Sequence, residues 1–307
     1  MKLLVTGATG FLGRHLVSAL RRDGHSVIAL GSRDADLTVP ASLDRFDEPV
    51  DVVWHLAAWT QAGDFCLRHP AEQWVINQRI NTTVLDWWHR VQPQAKLVAI
   101  GTSCSYAPGE ALSEDRYLVG EPVPELYAYG MTKRMLLVGL RAMTAQYGHR
   151  WLYLVPSTLF GTGYHEPGKQ RHFIFDVIDK ILAAKAGGPA VTLWGDGGQC
   201  RELILVDDFA RAARRLAEVV EGEIVNVGSG DERSIRWYAE QVCGLVGYDP
   251  SLIRYDTSKY VGVRSKQLVV DKLRRLLPSF NLTPLTAALE ETVFDYARAA
   301  HGEGTRA

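Results

Sequence analysis

The chain has 307 residues, 47% of them apolar and 22% charged, which is ample for a packed core in one large domain or two fused ones. Its 28 glycines and 13 prolines match neither a collagen-like nor a disordered composition. With 34 basic and 35 acidic side chains the net charge is −1, which gives no support to a nucleic-acid or membrane-binding surface.

In chain order, an apolar run at 3–5 predicts the first strand, followed by a glycine-rich turn and a helix over 11–20. Strands are predicted at 26–30, 52–56 and 96–100, with a long helix over 70–91 between the last two. A second long helix, 127–147, leads into a strand at 152–155. Buried strands alternating with helices imply an α/β fold, a doubly wound parallel sheet covered on both faces, over residues 1–160. Beyond Pro156 the texture changes to a Gly, Pro and His-rich loop at 161–168. Helices at 173–185, 207–220, 235–245 and 284–298 and strands at 191–193 and 223–227 follow. This part, 161–307, reads as a smaller C-terminal α/β substrate-binding lobe, with some return of chain to the first domain and a frayed end at 301–307.

Cys66, Cys104, Cys200 and Cys243 form no CxxC pair, so neither a disulfide framework nor a metal site is expected. The opening residues reach Gly7 too early for the apolar core of a signal peptide. No apolar run approaches the roughly 18–20 residues of a membrane helix. A soluble cytoplasmic protein without nucleic-acid or membrane partners is expected.

Gly7, Thr9, Gly10, Phe11, Leu12 and Gly13 lie between strand and helix with GxxGxxG spacing. Glycines there permit a tight turn and let backbone amides approach a pyrophosphate at the positive end of a helix. The first domain therefore reads as a Rossmann dinucleotide-binding domain. At the end of the second strand, where an acid would hold the ribose 2′-hydroxyl of NAD, stands Gly31. Arg33 can pair with a 2′-phosphate, so NADP(H) is favoured, with NAD(H) left open. Asp36 and Leu37 are expected at the adenine.

Tyr129 and Lys133 stand four apart, on one face of the second long helix. An ammonium beside a phenol favours the phenolate and lowers a pKa that is ordinarily about 10, making an acid/base for neutral pH. The stretch Gly101-Thr102-Ser103-Cys104-Ser105-Tyr106 ends the preceding strand.

With these three features together, the chain resembles the extended short-chain dehydrogenase/reductase superfamily, in its nucleotide-sugar epimerase/dehydratase branch. His55-Leu56-Ala57-Ala58, Pro156-Ser157-Thr158-Leu159-Phe160-Gly161 and Val206-Asp207-Asp208 extend the resemblance over nearly the whole length. It implies that Tyr129 is the acid/base, that Lys133 lowers its pKa and binds the nicotinamide ribose, and that Thr102 bonds the substrate oxygen. It also places Leu56, Ala57, Ala58, Pro156, Thr158 and Leu159 at the cofactor. Dehydratases of this branch carry Asp-Glu where this chain has Ser103-Cys104, so dehydration is not expected.

The stretches Thr102 to Tyr106, His172-Phe173-Ile174 and Trp194 to Glu202 are similar to the GDP-L-fucose synthase family. That family epimerises C3 and C5 of GDP-4-keto-6-deoxymannose and reduces C4 with NADPH. A 4-keto group makes the C3 and C5 protons acidic, and inversion needs a base on one ring face and an acid on the other. A thiol (about 8.5) and an imidazole (about 6.5) both exchange protons near neutrality. The resemblance assigns these roles to Cys104 and His172, with Thr102 and Tyr129 stabilising the enolate oxygen. Ser103, Thr158, Lys180, Trp194, Arg201 and Lys266 are further candidates for substrate contact, with His165 in the loop behind them.

Thr102 stands where those synthases carry serine, Thr158 where they carry asparagine, and Thr9 where they carry arginine. A related substrate, such as a 4-keto heptose or a dideoxyhexose, or a single activity of the two, therefore stays open. So does an NAD-dependent sugar-nucleotide 4-epimerase. A non-catalytic nucleotide-binding member is disfavoured because both Tyr129 and Lys133 are kept. Apolar residues on the two long helices, including Trp74, Trp87, Met131 and Leu137, exceed what one sheet face covers and predict a homodimer.

Overall fold

Six short strands, several of them apolar throughout, pair in one parallel sheet, because the helices that separate them bring each strand back in the same direction. The computed structural model describes residues 1–61, 65–164, 171–259 and 261–300. Its first half runs β1 (Lys2–Thr6), α1 (Phe11–Arg22), β2 (Ser26–Leu30), β3 (Val52–His55), α2 (Phe65–Arg68), α3 (Pro70–Val91), β4 (Lys96–Ile100), α4 (Tyr127–Tyr147) and β5 (Trp151–Pro156). Then come β6 (Thr158–Phe160), α5 (Phe173–Lys185), β7 (Thr192–Trp194), β8 (Cys200–Leu205), α6 (Val206–Val219) and β9 (Glu223–Val227). The chain closes with β10 (Glu232–Ser234), α7 (Ile235–Val246), β11 (Arg254–Asp256), α8 (Asp271–Leu276) and α9 (Leu285–Ala300).

The main sheet has the order β2-β1-β3-β4-β5-β9. Its order reverses between β1 and β3, the switch point where doubly wound sheets bind ligands. α3 packs with α4, and α1 with α6. The doubly wound architecture read from the sequence is therefore present. β6, β8 and β10 form a second small sheet and β7 with β11 a third. β6, β10 and β11, of three residues each, and α8 carry no periodic signal of their own.

Two apolar cores result. The larger lies around the main sheet and takes in Phe209, Val225 and Leu273 from the later chain. The smaller holds Phe160, Phe175, Ile178, Leu203, Tyr238 and Val293. Of the apolar residues expected in excess on the long helices, Trp87 and Leu137 are core, because they face the sheet. Met131 is half-buried, and Trp74 is exposed, as are Val75, Met135 and Val138 on the same two helices. Among the described residues, no helix is long and apolar enough to cross a membrane, and no group of three or more His, Cys, Asp or Glu is placed to hold a metal ion.

Candidate active site

The turn from β1 to α1 is built by close approach. Gly7 has φ +68°, and a Cβ there would lie 2.7 Å from the Ala57 amide nitrogen. A Cβ on Gly13 would meet the Gly7 carbonyl oxygen at 2.2 Å, so neither position accepts a side chain. Gly10 is the N-cap of α1 and contributes no side-chain cap, which leaves the first amides of the helix free for an anion. This cradle fits a dinucleotide pyrophosphate. Gly10, Phe11, Leu12, Leu56, Ala58, Pro156, Thr158 and Leu159 line one end of a cleft of about 1800 Å³. Gly7, Gly13 and Ala57 back it. Thr9 lies on the outer side, in a surface groove with Arg14, Arg21 and Arg22.

The end of β2 differs from expectation. A Cβ on Gly31 would stand 2.8 Å from Thr9 Cγ2, so Thr9 denies that position any acid. A carboxylate arrives by another route, since the Gly31 amide donates to Asp34 Oδ2 at 2.8 Å. Arg33 is exposed beside it. Asp36 accepts from the Thr38 hydroxyl at 2.7 Å and from its amide at 3.0 Å, which holds its carboxyl below the usual range. Leu37 is buried in the main core, so it is not a wall of the cleft.

Tyr129 and Lys133 both line the cleft, at the start of α4. The Lys133 ammonium donates to the Ile100 carbonyl at the end of β4, at 2.8 Å. Burial pushes its pKa down to about 8. Burial pushes the Tyr129 phenol well up, Cys104, Cys66 and Tyr117 adding to this and the Thr60 hydroxyl opposing it. The expected lowering of the phenol by Lys133 is therefore not expressed among the protein's own groups. The amine is spent on a strand-end acceptor, and desolvation dominates the phenol.

Thr102 and Cys104 follow β4 on a short 3-10 turn that Thr102 caps, the Cys104 amide donating to Thr102 Oγ1 at 3.2 Å. Burial raises the Cys104 thiol, but Lys266, Thr102 and Arg201 outweigh it and the net shift is downward. The Lys266 ammonium lies 2.9 Å from Cys104 Sγ. His172 is the N-cap of α5, makes no side-chain cap and lines the cleft. The imidazole is itself exposed to the cleft, and desolvation by neighbouring groups, with the Lys266 charge, draws its pKa down.

Ser103, Lys180, Trp194, Arg201 and Lys266 also line the cleft. Lys180 pairs with Asp176 at 2.7 Å, and Trp194 is exposed at the rim. Arg201 donates to the carbonyls of Val261 at 2.7 Å and Val263 at 2.8 Å, so its guanidinium ties down a neighbouring segment as well as facing the cleft. His165 lies outside the described residues.

A model of one family matches residues 3–228. The chain belongs to the NAD dependent epimerase/dehydratase family. Over 284 residues it is 28% identical to a GDP-L-fucose synthase of Azorhizobium caulinodans, covering 90% of each chain. It is 29% identical over 317 residues to a dTDP-4-dehydro-6-deoxy-D-allose reductase of Streptomyces bikiniensis, covering 94% of each. A crystal structure of a GDP-L-fucose synthetase from Naegleria fowleri bound to NADP shares the fold, with a TM-score of 0.85 and 23% identity over 100% of this chain and 96% of that one.

In this epimerase/dehydratase chain the residues that aim the site are ones sequence reasoning missed. Tyr117 Oη accepts from the Thr102 amide at 3.3 Å, donates to Ser105 Oγ at 3.0 Å and meets Tyr153 Oη at 3.1 Å. Tyr153 Oη in turn donates to the Lys133 carbonyl at 2.7 Å. Arg134 donates to Ser105 O, Gly120 O and Val119 O. Together they lock the β4 loop, with Thr102 and Cys104, to the helix carrying Tyr129 and Lys133. On the other side His55 bridges Thr6 Oγ1 at 2.9 Å and Asn81 Oδ1 at 3.2 Å, and Asn81 reaches the Thr132 carbonyl. Burial brings His55 down to about 4, so it is a neutral bracket between strands and helices. Only its place in His55-Leu56-Ala57-Ala58 marked it in the sequence.

Proposed function

We propose that this chain is an NADPH-dependent enzyme acting on a nucleotide-linked 4-keto-6-deoxy sugar, a GDP-sugar foremost, epimerising at C3 and C5 and reducing at C4. The carrying observation is that Thr102, Cys104, Tyr129 and His172 line one cleft whose far end is the glycine cradle. The likeness to a GDP-L-fucose synthase and to a 4-dehydro-sugar reductase supports the substrate class.

The first amides of α1 would hold the pyrophosphate, Lys133 the nicotinamide ribose and Arg33 a 2′-phosphate. When bound, the dinucleotide supplies the hydride for C4. Tyr129, which burial keeps protonated, gives its proton to O4. Thr102, whose Oγ1 accepts from the Cys104 amide, lines the same cleft and would meet that oxygen too. Before reduction, Cys104 and His172 exchange the C3 and C5 protons while Thr102 and Tyr129 hold the enolate oxygen. Lys180 and Trp194 would meet the nucleotide at the rim.

Incubation with GDP-4-keto-6-deoxymannose and NADPH in deuterated water tests this reading. Deuterium at C3 and C5 with NADPH oxidation supports both steps, and oxidation without label leaves a reductase alone. No oxidation with GDP-, UDP- or dTDP-linked 4-keto sugars sinks it. Asp34 favours one second reading, because a carboxylate at the end of β2 can accept ribose hydroxyls. An NAD-dependent 4-epimerase would come through purification with NAD⁺ held tightly.

We also infer a homodimer through α3 and α4, supported by the exposed Trp74, Val75, Met135 and Val138. Sedimentation as a monomer at micromolar concentration would count against it. A cytoplasmic location accords with consumption of NADPH.

A further inference from the structure

The segment 261–270 crosses the cleft wall between β11 and α8 and is held on both sides of Lys266. Before it, the Val261 and Val263 carbonyls accept from Arg201, and the Arg264 carbonyl accepts from the Cys200 amide at 2.7 Å. At it, Glu232 accepts from Ser265 Oγ at 2.7 Å and from the Lys266 amide at 3.0 Å. After it, the Leu268 amide donates to the buried Glu202 carboxylate at 2.7 Å. A lysine stem is ordinarily free to swing, but here its base is fixed and its ammonium lands 2.9 Å from Cys104 Sγ, 162 residues away.

We propose that Lys266 is a positioning residue that holds the Cys104 sulfur as a thiolate, and so makes Cys104 the proton acceptor of the pair it forms with His172. The step it prepares is balanced within the site. The sulfur takes a proton from the carbon next to the ketone, the C–H bond breaks as S–H forms, and the electron pair moves onto O4. The groups facing Cys104 divide cleanly. Lys266, the Thr102 hydroxyl and Arg201 from β8 favour the anion. Burial, Cys66 from α2 and the Tyr129 phenol from α4 oppose it. Of these, Lys266 makes the direct contact with sulfur. The same ammonium disfavours a proton on His172. The role in turnover rests on the function proposed above, but the charge on the sulfur is measurable without any substrate.

The test is the pH dependence of iodoacetamide alkylation at Cys104 in the full chain, read peptide by peptide so that Cys66, Cys200 and Cys243 do not interfere. Lys266→Met should move the midpoint up by about one pH unit or more, slowing alkylation at pH 7 roughly tenfold. Lys266→Arg should keep most of the low midpoint. Superimposed profiles for the unsubstituted protein and the Met variant overturn the proposal. Should the Met variant not fold, the unsubstituted protein decides alone. Its ultraviolet thiolate absorbance, taken against Cys104→Ser, should titrate below the ordinary thiol value of about 8.5, and titration at or above that value overturns the proposal. Turnover of the keto sugar is scored separately. A shifted thiol without turnover refutes the function and leaves Lys266 standing, while turnover with an unshifted thiol does the reverse.

Discussion

The Lys133 ammonium is bonded to the carbonyl of Ile100, so the helix that carries the acid/base tyrosine is tied to the end of the strand that carries Thr102. Burial holds this lysine at about 8, below its ordinary 10.5. Its charge is thus lost as pH rises through about 8, whereas an exposed lysine would keep it. The rate of C4 reduction is expected to fall through that range. Lys133→Met should lower kcat by roughly 10²-fold or more and flatten this limb. A basic limb that persists in the variant assigns it to another group.

Inversion at carbon needs one proton shared between Cys104 and His172. Against burial, Lys266, Thr102 and Arg201 draw the thiol down, so rising pH favours the anion that accepts the carbon proton. Deuterium exchange at C3 and C5 should therefore lose ground to C4 reduction as pH falls and the thiolate is protonated. Below the Lys133 midpoint of about 8, Tyr129 and Lys133 both keep their protons, so reduction there gives the internal reference. A ratio of exchange to NADPH oxidation that is constant with pH would sink this account.

Cofactor choice turns on the end of β2. Arg33→Ala should weaken NADPH by roughly tenfold or more and leave NADH nearly unchanged, because only the former offers a phosphate to the guanidinium. Gly31→Asp should disturb the turn itself, since its Cβ would collide with Thr9. Gly31→Asp combined with Thr9→Gly is the fairer route to an NAD enzyme. Kd values for both cofactors by fluorescence titration check both points. Equal losses of NADPH and NADH binding in Arg33→Ala would remove Arg33 from the 2′-phosphate.

Glu202 is buried, and desolvation raises its carboxyl to about 7 against an ordinary 4.5, although the Leu268 and Gly230 amides and Ser229 pull it down. The folded state thus binds a proton that the unfolded chain has released. Stability from this group is fully present below about 4.5 and is lost as pH rises through about 7, by up to about 3 kcal/mol. Glu202→Gln should remove that slope from urea midpoints between about pH 5 and 7. An unchanged slope in the variant places the titration elsewhere.

The long helices α3, α4 and α5 were legible to the residue, because their periodic apolar faces run for three turns or more. The glycine spacing and the Tyr129–Lys133 pair were legible because both are local. What was hidden is contact between distant stretches. Nothing near Arg201 announces that its partners are carbonyls some 60 residues on. Nothing near Lys266 announces a cysteine on the far wall. Strands β6, β10 and β11 exist through their neighbours and, at three residues each, have too few for a pattern. The bond from Lys133 to the Ile100 carbonyl was hidden too, since spacing on a helix says which side chains are near and not which acceptor takes a donor.

The sixth strand of the main sheet, β9, comes from residues 223–227 and lies against β5. A polypeptide stopped at residue 160 would leave the edge of β5 bare and strip the sheet of Phe209, Val225 and Leu273. Such a fragment should precipitate or scavenge strands from other chains, so the two halves of this enzyme cannot be swapped between homologues at that seam without grafting the later strand too.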